Sequence, residues 1–245
     1  MKYGDMQETY IKTDYGNVHY LLHKGSADSI LLIHGLAGSS KSWSRFVDYL
    51  PENYTLCIVD LLGHGKSDAP HISYNIGVQV KIIEAIMRTE GLAGAFIMGH
   101  SYGGWIAAKI AISDKVSGLI LEDAGGLKNF FDEVRGTEKR EAYKKEIISK
   151  ALSLNAKEYV ISSIFDDEFS NSELSADELN SISVPTLILW GSDDRVISAR
   201  FAEIFHKEIP GSVLRIINRS KHTSHYTNPE EVAGLVVDFI NGRLV

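Results

Sequence analysis

The sequence predicts an α/β fold, a mostly parallel central sheet flanked by helices. Three observations predict it. Apolar runs rich in β-branched residues end in turn residues at Ser29–His34, Tyr54–Asp60, Ala95–Gly99, Ser117–Asp123 and Thr186–Gly191. Such unbroken runs read as strands buried on both faces, the signature of parallel sheets. Helical patterns alternate with them at Ser42–Leu50, Ile76–Thr89 and Tyr102–Ile112, implying right-handed crossovers. The composition, 44% apolar and 23% charged over 245 residues, is that of a soluble globular chain.

The elements follow in order. Glu8–Thr13 and Val18–Leu22 alternate in polarity around Asp14–Tyr15–Gly16–Asn17, which predicts antiparallel N-terminal strands at one sheet edge. The strand–helix rhythm stops after Asp123 and resumes at Val184. Between them Gly126–Ser183 is helical and charge-rich, as in EKREAYKKEIISK at Glu138–Lys150. We therefore expect a body of residues 1–125 and 184–245 and a small helical lid of residues 126–183. An insertion at that point sits over the crevice where open α/β sheets bind ligands. Ser198–Lys207 reads as a helix and Ser212–Ile217 as a strand. Asn228 as N-cap, Pro229 at the first helical position and the carboxylates of Glu230 and Glu231 then open a last helix to about Ile240.

Charge and cysteine content exclude several classes. The formal net charge of −7 disfavours nucleic acid as a partner. The single cysteine, Cys57, forms no intrachain disulfide and no Cys-rich metal site. The opening MKYGDMQETYIKTDYG has no apolar core of a signal peptide, and no uncharged apolar run is long enough for a membrane span. A cytoplasmic protein is expected; oligomeric state is not legible.

Gly99–His100–Ser101–Tyr102–Gly103 matches G-x-S-x-G, between an apolar run and a helix of small residues. A sharp strand-to-helix turn there pushes the Ser101 hydroxyl outward, and the helix N-terminus favours developing negative charge. A nucleophilic serine needs a base, an orienting acid and an oxyanion hole. Among nine histidines, His222 lies in the loop before the last helix, with His225 as rival. Asp193 and Asp194 follow the strand Thr186–Trp190. Asp194 is the favoured acid and Asp193 a turn former, while Asp123, ending the preceding strand, is an alternative acid. The turn His34–Gly35–Leu36–Ala37–Gly38 after an apolar run supplies Leu36 N–H, which pairs with Tyr102 N–H as oxyanion donors. His34 reads as a structural hydrogen-bonder. Asp60–Ser67 (DLLGHGKS) lacks the spacing of a phosphate or dinucleotide loop and reads as a structural turn.

Taken together, HGLAGSSKSW, DLLGHGKSD, GHSYGG, LILWGSDD and KHTSHYTNPEEV, in that order, resemble the α/β-hydrolase fold superfamily, and within it the lidded serine esterases. The resemblance spans nearly the whole chain. It implies nucleophile, acid and histidine in the order Ser101, Asp194, His222. The family's G-x-x-D turn maps to Gly191–Asp194. Its histidine, seven residues before the final helix's proline, maps to His222 rather than His225. The family's HG dipeptide maps to His34–Gly35, making Leu36 the oxyanion donor. No cofactor and no metal is implied. Serine at position 101 departs from the aspartate of haloalkane dehalogenases and epoxide hydrolases. HGLAG departs from the HGGP-type loop of proline iminopeptidases, although Asp166–Asp167–Glu168 offers charge for a substrate ammonium.

The implied activity is a carboxylesterase acting on small-molecule esters with short- to medium-chain acyl groups. A carbon–carbon bond hydrolase is the alternative, with Lys128, Arg135, Arg140 or Lys157 holding a substrate carboxylate. A ligand sensor built on a hydrolase fold is another. Phe130 and Phe131 are the leading pocket candidates, among Trp43, Trp105, Tyr159, Ile161, Phe165 and Phe169. Trp105, on the helix after Ser101, is expected to pack in the body, and Cys57 in the core.

Overall fold

A computed structural model describes residues 2–113, 115–134, 138–154, 156–168 and 172–244. Eight strands form one sheet: β1 (Gln7–Thr13), β2 (Gly16–His23), β3 (Ser29–Ile33), β4 (Thr55–Val59), β5 (Phe96–His100), β6 (Gly118–Glu122), β7 (Thr186–Gly191) and β8 (Val213–Ile217). Their order across the sheet is β1-β2-β4-β3-β5-β6-β7-β8. The first two strands form the expected hairpin, Thr13 facing Gly16, and β2 runs antiparallel to β4. From β4 to β8 every pairing is parallel. The helices are α1 (Ser44–Val47), α2 (Ile76–Glu90), α3 (Tyr102–Ala111), α4 (Lys128–Val134), α5 (Glu138–Ser153), α6 (Glu158–Glu168), α7 (Ala176–Asn180), α8 (Arg200–Glu208), α9 (Ser224–Thr227) and α10 (Pro229–Ile240).

Alternate residues of the central strands enter opposite cores, as the two-residue strand period requires. Leu31, Ile33, Ile97, Leu119, Leu121 and Ile188 pack against α2, α3 and α8 on one face. Ile30, Leu32, Met98, Ile120, Leu187 and Leu189 pack against α1 and α10 on the other. All twelve are fully buried, and each such side chain contributes roughly 1.5–3 kcal/mol. Cys57 lies within β4, buried in the first of these cores.

Local signals set the ends of α2. The Asn75 side chain accepts from Val78 N–H at 3.0 Å, and Gly91 closes the helix at φ 68°. Two expectations are corrected. Ser42–Leu50 is no continuous helix; a 3₁₀ turn at Ser40–Trp43 leads into the single turn α1. The buried Asp60 carboxylate takes Ser40 N–H at 2.5 Å, and Ser42 N–H bonds Ser39 O at 3.0 Å, which tightens this entry. Asn228 does not cap α10 with its side chain; its own N–H bonds Ser224 O at 2.8 Å, so α9 runs directly into Pro229.

Between β6 and β7 come α4 to α7 and an isolated bridge from Leu127 to Leu174, with no strand among the described residues. The capping box of Ser175 and Glu178 starts α7. No described helix is long and apolar enough to cross a membrane.

Burial holds His34, His64 and His100 below the usual histidine range, His64 down to about 3. These residues are neutral in the folded protein and charge on unfolding in mild acid. The unfolded chain then binds more protons, so stability falls as pH drops below about 6.5, by roughly 1.4 kcal/mol for His64 at pH 5.5, with His34 and His100 acting in the same direction. Urea unfolding at pH 7.5 and 5.5 measures this loss, and His64→Gln lowers the proton uptake on unfolding by about one.

Candidate active site

One residue separates β5 from α3. That residue is Ser101, held at φ 52° and ψ −115°, a conformation rare for any side-chain-bearing residue. The reversal needs close contact: a Cβ at Gly99 would lie 2.1 Å from Gly103 O, and one at Gly103 2.3 Å from Ile33 O. The Ser101 carbonyl accepts from Gly104 and Gly125 N–H, both at 2.9 Å, and its N–H donates to Glu122 O at 3.0 Å. The hydroxyl stands clear of the helix that follows it.

His222 reaches this hydroxyl. Its Nδ1–H donates to Asp194 Oδ2 at 2.8 Å, leaving the Nε2 lone pair facing Ser101 Oγ at 2.9 Å. The Asp194 side chain is fully buried, and its Oδ1 accepts Val196 N–H at 2.7 Å and Ile197 N–H at 3.1 Å. Its position and both oxygens are thereby set. Asp193 shapes the same turn, donating its N–H to Ser220 O at 2.8 Å and accepting from Ser192 Oγ. The chemistry available is proton transfer from Ser101 to an imidazole whose far side is braced by a carboxylate.

The rival His225 faces elsewhere. Its ring and its backbone N–H both bond the buried Glu122 carboxylate, at 2.8 and 2.6 Å, and its ring lies 4.2 Å from that of Trp43. Trp43 therefore belongs to the core, not to a pocket. His100, the residue before Ser101, donates Nε2–H to the carbonyl of His222 at 2.5 Å. The Glu122–His225 pair and His100 thus hold the loop that carries His222. The G-x-S-x-G pattern offered His100 as its variable second residue, and the carboxylate ending the apolar strand SGLILE offered Glu122; neither signal says what it bonds.

Asp123 lies in the same layer. It is buried at φ 46°, and its Oδ1 accepts Gly191 N–H at 2.8 Å. Burial, reinforced by the neighbouring Glu122 charge, pushes its carboxyl up to about 9. His100, Asp123 and His222 each bring one polar atom within 4.8 Å of the others. Both His222 nitrogens and His100 Nε2 are engaged in hydrogen bonds.

Leu36 and Tyr102 line a cavity of about 60 Å³ shared with Ser101. His34 holds the Leu36 turn in place. Its Nδ1–H donates to Gly35 O at 2.7 Å and its Nε2 accepts Leu61 N–H at 3.1 Å, the structural part expected of it. Phe130 and Phe131 line the cavity, as do Tyr143 and Ile147 of α5, Phe165 of α6, Val196 and Ile197. Trp105 is buried as expected but also presents its ring to this space, 5.5 Å from Phe131. Tyr143 and Ile147, which sequence reading passed over, stand four apart on one face of α5, an apolar pair inside EKREAYKKEIISK. Tyr159 stacks on His71 at 4.1 Å and donates to Ala69 O, away from the cavity. Ile161 is core, and Phe169 lies outside the described residues.

The Asp60–Ser67 loop forms a turn around the Asp60 carboxylate, which accepts Ser40 N–H, Lys66 N–H and His19 Nδ1–H. Asp166 pairs with Lys144 at 2.6 Å. Among the described residues, no Lys, Arg or free carboxylate lines the cavity. Arg140 pairs with Glu141 and Asp166, Lys157 borders a separate cleft beside Gly38 and His64, and Arg135 lies outside the described residues.

The strand order and the serine set on a strained strand-to-helix turn define the α/β-hydrolase fold. Residues 28–142 match the family model described as alpha/beta hydrolase fold, in agreement with the fold of the whole sheet. It is 24% identical to a monoacylglycerol lipase of Xenopus laevis over 94% of this chain and 81% of that protein. It is 26% identical to lipase 3 of Moraxella sp. over 80% and 72%. A crystal structure of a membrane phospholipase A, a bacterial virulence factor, superposes with a TM-score of 0.81 at 25% identity, covering 97% and 86% of the two chains.

A group whose folded value is raised stabilises the protein in acid and loses that contribution as pH climbs toward the folded value. Asp123 therefore costs stability at neutral and alkaline pH. Asp123→Asn, which keeps the acceptor for Gly191 N–H, should raise Tm over wild type more at pH 8 than at pH 5. Equal shifts at both values would contradict a protonated Asp123.

Proposed function

We propose that the protein is a serine hydrolase cleaving carboxylic esters with short acyl groups, through an acyl-enzyme on Ser101. The observation that carries this reading is the single imidazole of His222 bridging Ser101 Oγ and Asp194 Oδ2. Ser101 attacks the ester carbonyl as His222 accepts its proton, and Asp194 holds the tautomer and stabilises the imidazolium. The N–H groups of Leu36 and Tyr102 hold the oxyanion, supported by the N-terminus of α3. His222 then protonates the leaving alcohol and activates water against the acyl-enzyme.

The cavity supports the substrate class. At roughly 10–15 Å³ per water-sized group, about 60 Å³ holds some four to six heavy atoms. That fits acyl groups at the short end of a short- to medium-chain range. Residues 126–183 act in this reading as a lid on a body of 1–125 and 184–245, since Phe130, Phe131, Tyr143, Ile147 and Phe165 close the cavity. The apolar lining suits an uncharged acyl chain and lacks, among the described residues, the cation a dienoate-type carbon–carbon substrate needs. The lipase names of two relatives belong to ester chemistry and support the same choice.

A chain-length series of nitrophenyl esters tests the proposal. Ser101→Ala should lower kcat by about 10⁴- to 10⁶-fold; full activity in that variant would refute the nucleophile. Turnover of a vinylogous diketone in preference to every ester would move the assignment to carbon–carbon cleavage. Stoichiometric labelling of Ser101 by a fluorophosphonate with no turnover would move it to a sensor. Tyr143→Ala and Phe165→Ala should each raise the octanoate-to-butyrate ratio of kcat/KM by about tenfold, in line with 1–3 kcal/mol per accommodated methylene. Unchanged ratios would mean that α5 and α6 do not limit the acyl site.

A further inference from the structure

The cleft between the N-terminal hairpin and α2 gathers three basic groups that have no counter-charge among the described residues. It measures about 410 Å³, with Lys12, Asp14 and Tyr15 on the hairpin wall and Lys81, Ala85 and Arg88 on the α2 wall. Lys12, Lys81 and Arg88 are exposed, and among the described residues none of them forms an ion pair or a side-chain hydrogen bond. Asp14 is the one carboxylate among the described lining residues, and it pairs with none of the three.

The neighbouring acids are committed elsewhere. Glu84 stands three residues after Lys81 and four before Arg88, the spacings at which helix ion pairs form, yet it is held by Lys115 at 2.8 Å. Glu90 accepts from Tyr20 Oη at 2.6 Å and pairs with Lys24 at 3.2 Å. Asp68 takes Asn17 N–H at 2.8 Å and the Asn17 side-chain amide at 3.0 Å. The chain has 32 acidic residues against 25 basic ones, so counter-charges are plentiful, and still three cations share one space. Their mutual repulsion is relieved by an anion set between them.

Size and spacing define the ligand class. Lys81 and Arg88 lie about two turns apart on one face of α2, roughly 10 Å along the axis at 1.5 Å per residue, and the short Ala85 side chain stands between them. Lys12 faces them from the other wall. A single phosphate or carboxylate spans only part of that distance, and the volume suits a molecule of metabolite size. The Arg88 guanidinium offers a planar fork to an oxyanion, the lysines offer point charges, and the half-buried Tyr15 brings a phenol to the same wall.

We propose that this cleft binds a small soluble polyanion carrying at least two phosphate or carboxylate groups. Binding there involves no chemical step and is independent of the ester hydrolysis proposed for Ser101. A nucleic acid would run on from the cleft over an acidic surface, whereas a small polyanion ends within it.

Titration calorimetry at low ionic strength with inorganic pyrophosphate, and separately with citrate, tests the site on wild type, K12Q, K81Q, R88Q and K207Q. Lys207 lies on α8 beside Glu208, so K207Q removes the same charge from another place. One equivalent of pyrophosphate or citrate should bind wild type, and the better probe tells phosphate from carboxylate recognition. Kd should rise about tenfold in each of K12Q, K81Q and R88Q, the loss expected for one charge-assisted hydrogen bond, and stay at the wild-type value in K207Q. Thermal unfolding without ligand verifies that each variant folds. Absence of saturable binding of both probes to wild type overturns the inference, and so does equal affinity in wild type and the three cleft variants. Binding to phosphatidylglycerol vesicles with no binding of either soluble probe would likewise refute it, in favour of a membrane surface.

Discussion

The site depends on one steric constraint, the reversal from β5 into α3 through a single residue. With Ser101 at φ 52°, strand and helix meet so closely that positions 99 and 103 have no room for a Cβ. A residue in such a conformation costs about 1–3 kcal/mol, and the surrounding structure has to outweigh that. It does so through the Ser101 backbone bonds to Glu122, Gly104 and Gly125, and through apolar cores on both faces of the sheet. The same reversal places the hydroxyl at the C-terminal edge of a parallel sheet, where loops from β3, β6, β7 and β8 converge. Leu36, Asp123, Asp194 and His222 each come from one of those loops.

Beneath the serine lies a layer of buried polar groups that an apolar core would not tolerate singly. Glu122, Asp123, His100, Asp194 and His225 are all buried. A buried charge costs several kcal/mol unless it is paired and hydrogen-bonded. Glu122 meets that cost with two bonds to His225 and Asp194 with three to its neighbours. Asp123 meets it by staying protonated. This layer fixes the loop that carries His222 from two directions, through His100 on its carbonyl and Glu122 on the residue three further along. A donor or acceptor displaced by an ångström weakens a hydrogen bond steeply, which gives the layer its value.

The cavity is assembled differently, from residues far apart in sequence. Phe130 touches Phe131, Tyr143 and Phe201 at ring separations near 5.5 Å, joining α4, α5 and α8. Meanwhile α5 turns Lys144 outward to Asp166 and Lys150 to Glu146. One helix thus serves both a solvated face and the wall of the cavity. Its amphipathic stripe is narrow: among the described side chains of α5, Tyr143 and Ile147 line that wall.

Much of this was legible in the chain. The five parallel-strand runs, the N-terminal hairpin and the helix from Ile76 appear within a residue or two of their predicted ends, because burial on both faces and a capping asparagine are local signals. Ser101, His222 and Asp194 were legible through motif order, and the structure sets His222 within hydrogen-bonding distance of both Ser101 and Asp194. The Ser42–Leu50 helix was misread because Asp60, distant in sequence, draws Ser40 N–H out of the pattern. Asn228 was misread as a side-chain cap because α9 already meets its backbone. Periodicity, turn chemistry and motif spacing are encoded within a few residues, so the sequence by itself determined the fold class and singled out Ser101 as the candidate nucleophile. The partners of Glu122, His100 and Asp123, and the wall made by Tyr143, Ile147 and Phe165, were decided only by tertiary structure. Those contacts join residues some 20 to 120 positions apart, and no short stretch of chain records which distant group will come to lie beside it.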